Sequence, residues 1–183
     1  MEDTIGEHIS VIESVKKESK NISAAARCIR GAISNDKKVV WAGNGGSAAD
    51  CQHLSAEIVG RFQDSTESLP SIALTTDTSA LTAVANDFGY EEVFSRQVSA
   101  LVEEGDVLVG ISTSGESENV IRAVQKASSI GAKTAAMTGK GGGSLSDIVD
   151  IAINVESRKT TRIQEAHIMI GHILCEKIKQ KKI

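Results

Sequence analysis

Aromatic residues are scarce in this chain of 183 residues: one Trp, one Tyr and three Phe, 3% in all. Its core must therefore be built from Ile, Val, Leu and Ala, and stacking platforms for single-stranded nucleic acid are not expected. An excess of positive charge is also lacking. Twenty Lys and Arg against 24 Asp and Glu leave a formal net charge of -4. No broad basic field is available for a phosphate backbone, so no nucleic-acid partner is expected. The three cysteines, Cys28, Cys51 and Cys175, form no CxxC pair and cannot all pair off. They read as reduced thiols in a cytoplasm. No apolar run approaches the roughly 20 residues of a membrane span, and MEDTIGEHIS has no basic stretch leading into an apolar one. Neither secretion nor a membrane partner is expected. With one proline, Pro70, and no linker or repeat, the reading is a single domain over 1–183.

The chain does have alternation. Short apolar runs at 39–42, 72–75, 107–112, 134–137 and 148–155 read as five strands. Helical patterns separate them at 48–59, 79–85 with 91–102, 118–130 and 160–178. This order predicts a three-layer α/β domain around a five-stranded parallel sheet, with ligands beyond the carboxyl ends of the strands. Ile5, Ile9, Ile12, Val15, Ile22, Ala25, Ala26 and Ile29 predict a long helix over about 4–33, available for packing on the domain or for oligomerisation. QDSTES and Pro70 read as a surface loop, and TGKGGGS (138–144) as a flexible loop after the fourth strand.

Two turns between strand and helix suit an anion. GNGGS (Gly43–Ser47) allows close backbone approach, and the following helix offers free N–H groups and the positive end of its dipole. Asn44 and Ser47 add side-chain donors, although Ser47 could simply cap the helix. Ala48 breaks the GxGxxG fingerprint, and no Walker A sequence is present. In STSGES, Ser112, Thr113, Ser114 and Ser117 place four hydroxyls at the second turn, where capping needs one. Hydroxyls and helix N–H groups can surround a phosphate without arginine. Down the first of these helices, His53 and Glu57 stand i, i+4, so their side chains can meet.

GNGGSAAD, NDFG, FSRQV, GISTSGES and RIQEAHI together resemble the sugar isomerase (SIS) superfamily. HLSAE and RIQEAHIMIGH narrow the resemblance to the sedoheptulose 7-phosphate isomerases, or phosphoheptose isomerases, over nearly the whole chain. The resemblance implies a flavodoxin-like sheet, a homotetramer with active sites at subunit interfaces, and a phosphorylated seven-carbon sugar as substrate. It assigns Asn44, Gly45, Gly46, Ser47, Asn86 and Asp87 to substrate and Ser112, Thr113, Ser114 and Ser117 to its phosphate. His53, Glu57, Gln164 and His172 become the metal and catalytic centre, with Gln164 also on the substrate. Thr161 stands where some members carry an acidic residue.

His, Glu, Gln and His suit zinc, one per subunit. The expected reaction forms a D-glycero-D-manno-heptose 7-phosphate through an enediol, Glu57 acting as base and His172 as acid. A carboxylate held tightly by zinc is a poorer base. Glu57 therefore leaves the metal during turnover, or the metal mainly polarises the carbonyl. Gln164 and His172 are eight residues apart, about 12 Å along one helix. They reach one ion only near full stretch, serve different parts of the site, or come from different subunits. The expectation is that one chain's last helix completes a neighbour's His53–Glu57 site. His167 lies on another face and is assigned a structural role. The alternatives are a non-catalytic SIS protein that binds a replication-initiation protein and a sugar-phosphate sensor. The resemblance also points to a cell-envelope (lipopolysaccharide) heptose.

Overall fold

The computed structural model describes residues 2–63 and 67–180. The centre of the sheet is dictated by two runs that alternate between opposite faces without a polar side. In β1 (Val39–Gly43) every residue is buried; Val39 and Trp41 face one core, Val40 and Ala42 the other. β3 (Val107–Ser112) is likewise buried throughout. β2 (Ser71–Ala73), β4 (Lys133–Thr138) and β5 (Ile151–Asn154) complete an all-parallel sheet in the order β2-β1-β3-β4-β5. The two edge strands are the shortest, three and four residues, which limits the unpaired backbone left for another chain.

The expected five strands and flanking helices are all present. α1 (Glu2–Ser14) and α2 (Ser19–Ile33) form the long N-terminal helix, joined by a single 3-10 turn at Val15–Glu18. With α3 (Gly46–Val59) and α8 (Thr160–Lys179) they enclose a core that includes Ile29, Trp41, Leu54, Ile111 and Ile163. On the other face, α5 (Ser95–Leu101), α6 (Glu118–Ile130) and α7 (Gly143–Ile148) cover Leu74, Phe94, Leu108 and Val124. Gly110 lets α6 approach β3: a Cβ there would lie 2.8 Å from Val120 Cγ1.

α4 (Thr78–Phe88) starts on Asp77, whose carboxylate accepts the Ala80 N–H at 2.9 Å. None of its residues is buried, although Leu81, Val84 and Phe88 are apolar.

Two expectations about the fourth and fifth strands are corrected. The TGKGGGS stretch is not simply a loop: its last two residues begin α7, anchored where Glu116 accepts both the N–H and the hydroxyl of Ser144 at 2.8 Å. The run expected as one strand over 148–155 loses its first three residues to the end of α7 and a connecting bend, and Val155 at its end, so β5 keeps four residues. Of the QDSTES loop, residues 64–66 lie outside the described residues.

Candidate functional site

The parallel sheet brings both candidate anion-binding turns to one edge. Gly43 pairs with Ile111 at the carboxyl ends of β1 and β3, so the glycine turn and the serine turn start side by side. An amide pair ties them together. Asn44 Nδ2 donates to Asn119 Oδ1 at 2.8 Å, and Asn119 Nδ2 donates back to Asn44 Oδ1 at 2.9 Å. The Tyr90 hydroxyl also donates to Asn44 Oδ1, at 3.0 Å. Asn119 and Tyr90 were not anticipated: Asn119 reads as an ordinary polar residue of a first helical turn. The glycine turn is capped by Gly45, at φ 55°. Ser47 is 3% exposed and packs against Gly43. It is therefore not the cap, because it already lies inside the first turn of α3.

The serine turn collects its hydroxyls. Ser112 Oγ stands 3.0 Å from Ser117 Oγ and 3.4 Å from Ser114 Oγ. Gly115 N–H donates to Ser112 Oγ, and Glu116 N–H to Ser114 Oγ, both at 3.1 Å. Ser117 occupies the cap position of α6, yet its side chain makes no capping hydrogen bond. Capping therefore does not account for the cluster. Gly115 (φ 70°) lies so close under Gly142 that a Cβ would strike its carbonyl. Glu116 turns away to Ser144, whose two hydrogen bonds hold its carboxyl below the usual range.

Further along α3 is the second cluster. His53 Nε2 lies 2.8 Å from His172 Nε2, the rings meeting edge to face, and 3.7 Å from Glu57 Oε1. Phe62 flanks the His172 ring at 6.3 Å. Both histidines are exposed and Glu57 is partly buried. All three belong to one chain, because α3 and α8 run side by side in the same direction. A Cβ at Gly171 would meet Leu54 at 2.5 Å, so the two helix axes come close there. This corrects the expectation that a neighbour's last helix supplies His172 to His53.

Gln164 belongs to the other level. Its amide lies over Gly46, where a Cβ would strike it. Seven residues separate Gly46 from His53, roughly 10 Å of helix. Gln164 thus stands with the glycine turn rather than beside the histidine pair, and four-fold convergence with His53, Glu57 and His172 is not present in this arrangement. Among the described residues no three His, Cys, Asp or Glu side chains stand as a metal cage. The donor chemistry nevertheless fits zinc. Two imidazole nitrogens on a tetrahedral zinc would sit about 3.4 Å apart, a small opening of the 2.8 Å pair, with Glu57 beside them.

Asn86 and Asp87 are exposed at the end of α4, where Asn86 Nδ2 donates to Asp87 Oδ1 at 2.8 Å. No described hydrogen bond joins either to the two turns. Thr161 is exposed at the start of α8; Arg162 beside it pairs with Glu165 at 2.7 Å. His167 is wholly buried, its Nε2 3.0 Å from the Thr138 carbonyl oxygen, in keeping with a structural role. Burial pushes the Cys175 thiol up to about 12 and that of Cys51 higher still, so neither supplies a thiolate.

The family model for the SIS domain matches residues 5–139. The phosphoheptose isomerase of a Nitratiruptor species is 54% identical over 180 residues, 97% of this chain and 96% of the relative. Among solved structures, phosphoheptose isomerase GmhA from Neisseria gonorrhoeae superposes with a TM-score of 0.91 at 44% identity, covering 96% of this chain and 95% of that one. A phosphoheptose isomerase from Francisella tularensis gives 0.89 at 37% identity, covering 98% of each.

Proposed function

The chain belongs to the SIS-domain family, and on that premise we propose that it is an aldose–ketose isomerase acting on sedoheptulose 7-phosphate. One observation carries the reading: the His53–His172 pair, with Glu57 beside it, stands two helical turns beyond an anion-binding turn. The serine turn starts beside that glycine turn, so the interval of roughly 10 Å suits an extended seven-carbon sugar whose phosphate and reacting carbons occupy opposite ends of the site. Relatives named phosphoheptose isomerase support the choice of substrate.

Ser112, Thr113, Ser114 and Ser117, with the free N–H groups at the start of α6, hold the phosphate. Gly45, Gly46, Asn44 and Gln164 line the sugar's path, Asn44 oriented by Asn119 and Tyr90. Asn86 and Asp87, at the exposed end of α4, are further contacts to the sugar on the family's pattern. Glu57 removes a proton from C1 of the open-chain ketose while His172 donates one to the C2 oxygen, giving the enediol. Glu57 then returns its proton to C2, and His172 takes the proton from the C1 hydroxyl. The product is the aldose, D-glycero-D-manno-heptose 7-phosphate. His53, His172 and Glu57 would hold one zinc per subunit, whose Lewis acidity polarises a carbonyl. With zinc bound, proton abstraction requires Glu57 to keep one oxygen free, and proton transfer by His172 requires its Nε2 to leave the metal.

A homotetramer is part of the proposal. Ile5 and Ile9 on α1 are 56% and 52% exposed, and Phe88 at the end of α4 is 51% exposed. Both surfaces suit copies of the same chain. No described helix is long and apolar enough to cross a membrane, and the cysteines remain free, which supports a cytoplasmic role in supplying a cell-envelope heptose.

The test offers sedoheptulose 7-phosphate in deuterated water. An isomerase yields an aldose 7-phosphate carrying deuterium at C2 and washes deuterium into C1 of the recovered ketose. Binding with neither product nor exchange overturns catalysis and favours a sugar-phosphate sensor.

A further inference from the structure

The TGKGGGS stretch (138–144) has no part in the proposed reaction, yet it lies against the serine turn. Three contacts join the two. Gly142 packs on Gly115 with no room for a side chain between them. The Leu145 N–H donates to the Gly115 carbonyl at 2.9 Å. The Glu116 carboxylate accepts from Ser144 twice, the N–H at Oε1 and the hydroxyl at Oε2, each at 2.8 Å. The stretch is itself fixed to the sheet. The Ser146 hydroxyl donates to the Gly142 carbonyl at 3.0 Å, and Ser146 Oγ stands 3.1 Å from Oγ1 of Thr138 at the end of β4. Leu145 beside it is wholly buried. The serine turn therefore rests on a support anchored in β4.

Glu116 occupies an awkward place for an acidic residue. It stands between Ser114 and Ser117, and its own N–H donates to Ser114 Oγ at 3.1 Å. The field of a carboxylate there repels a phosphate. The start of α6 also attracts it, because the unpaired N–H groups of a first helical turn favour any nearby negative charge. Unanchored, the Glu116 side chain would compete with phosphate for those donors. Ser144 removes it from that competition by engaging both of its oxygens.

We propose that Glu116 is a positioning residue of the phosphate turn: by clasping Ser144 it fixes the 112–117 backbone against the glycine loop and holds its own charge away from the start of α6. The hydroxyls of Ser114 and Ser117 and the helix N–H groups are thereby left open to a phosphate. Glu116 itself does not touch the phosphate.

The inference rests on the proposed function for the phosphate turn alone, and inorganic phosphate tests it without turnover. Binding to the full chain is read from the amide signals of Ser114, Gly115 and Ser117 as phosphate is added. Charge and positioning predict opposite signs. If only its field mattered, removing the carboxylate would strengthen anion binding. If the clasp matters, Glu116→Ala weakens phosphate binding about tenfold. Glu116→Gln should then bind at least as tightly as the wild type, because its amide accepts the Ser144 N–H and donates to the hydroxyl. Ser144→Ala leaves every charge in place and should also weaken binding, though less. KM for sedoheptulose 7-phosphate should follow the same order with kcat little changed. Unchanged or tighter phosphate binding by Glu116→Ala with native circular dichroism overturns the role of Glu116. So does an equal loss in Glu116→Gln, or a wild type whose three amide signals ignore phosphate. The expected order of phosphate affinities without any isomerisation leaves Glu116 in place and removes the reaction from the proposed function.

Discussion

His167 provides a quantitative test of how this fold responds to acid. Its ring is wholly buried on α8. One nitrogen is bonded to the Thr138 carbonyl, and Nδ1 has no partner. Burial pushes its pKa down to about 4 from an ordinary 6.5. Below pH 6.5 the unfolded chain takes up a proton at this residue that the folded chain refuses until about pH 4. Folding stability therefore falls as pH drops through that window, by about 1.4 kcal/mol per unit. Between about pH 7.5 and 4.5 the loss comes to about 2.5 kcal/mol. Asp50 acts in the opposite sense. Its carboxyl is raised to about 6, so the folded state holds that proton more tightly and gains stability as pH falls from about 6 toward 3.8. Partial exposure reduces that gain, but it masks part of the histidine effect in the wild type.

The clean measurement is a difference. His167→Gln keeps a donor for Thr138 and cannot titrate. Urea unfolding followed by Trp41, the sole tryptophan and fully buried, gives both stabilities at fixed protomer concentration in chelator-containing buffer. The wild type should lose about 2.5 kcal/mol relative to the variant on going from about pH 7.5 to 4.5. Parallel pH curves for the two proteins would refute the burial argument.

Other outcomes follow from the site. Glu57→Gln should stay folded with turnover reduced at least about 100-fold, and His172→Ala should do the same; steady-state isomerisation checks both. Ser114→Ala should raise KM for the phosphorylated sugar about tenfold and change kcat little, while an unchanged KM removes it from the phosphate site. Mixed oligomers of Glu57→Gln and His172→Ala should regain no activity, because both residues serve the same chain's site; recovery would place them on different subunits. Ile5→Glu with Ile9→Glu should lower the oligomeric mass measured by sedimentation while leaving helix content intact.

How legible each part was depended on whether its cause was local. α6 could be read to its ends, Glu118 and Ile130, because Ser117 precedes it and Gly131 closes it at φ 91°. α7 was missed because six residues give no helical period, and its anchor, Glu116, lies 28 residues earlier. The Asn44–Asn119 pair spans 75 residues, so neither partner announces the other. The serine turn was identifiable from its surplus of hydroxyls, although their mutual hydrogen bonds depend on Gly115 folding under the glycine loop. That His172 meets its own chain's His53 could not be read from spacing. It depends on where α8 crosses α3, which the Gly171–Leu54 contact decides.

That crossing also makes α8 a ruler whose divisions cannot be changed. Gln164 marks the level of Gly46, Gly171 the level of Leu54, and His172 the level of His53. One residue inserted between positions 164 and 171 would turn the rest of the helix by about 100°, carrying His172 off its partner and setting a bulkier side chain against Leu54. The same insertion at 156–159, in the connection ahead of α8, adds slack where no helical phase is counted. Length variation compatible with activity is thus confined to the approach to this helix, and the interval between its two contacts with α3 has a single permitted value.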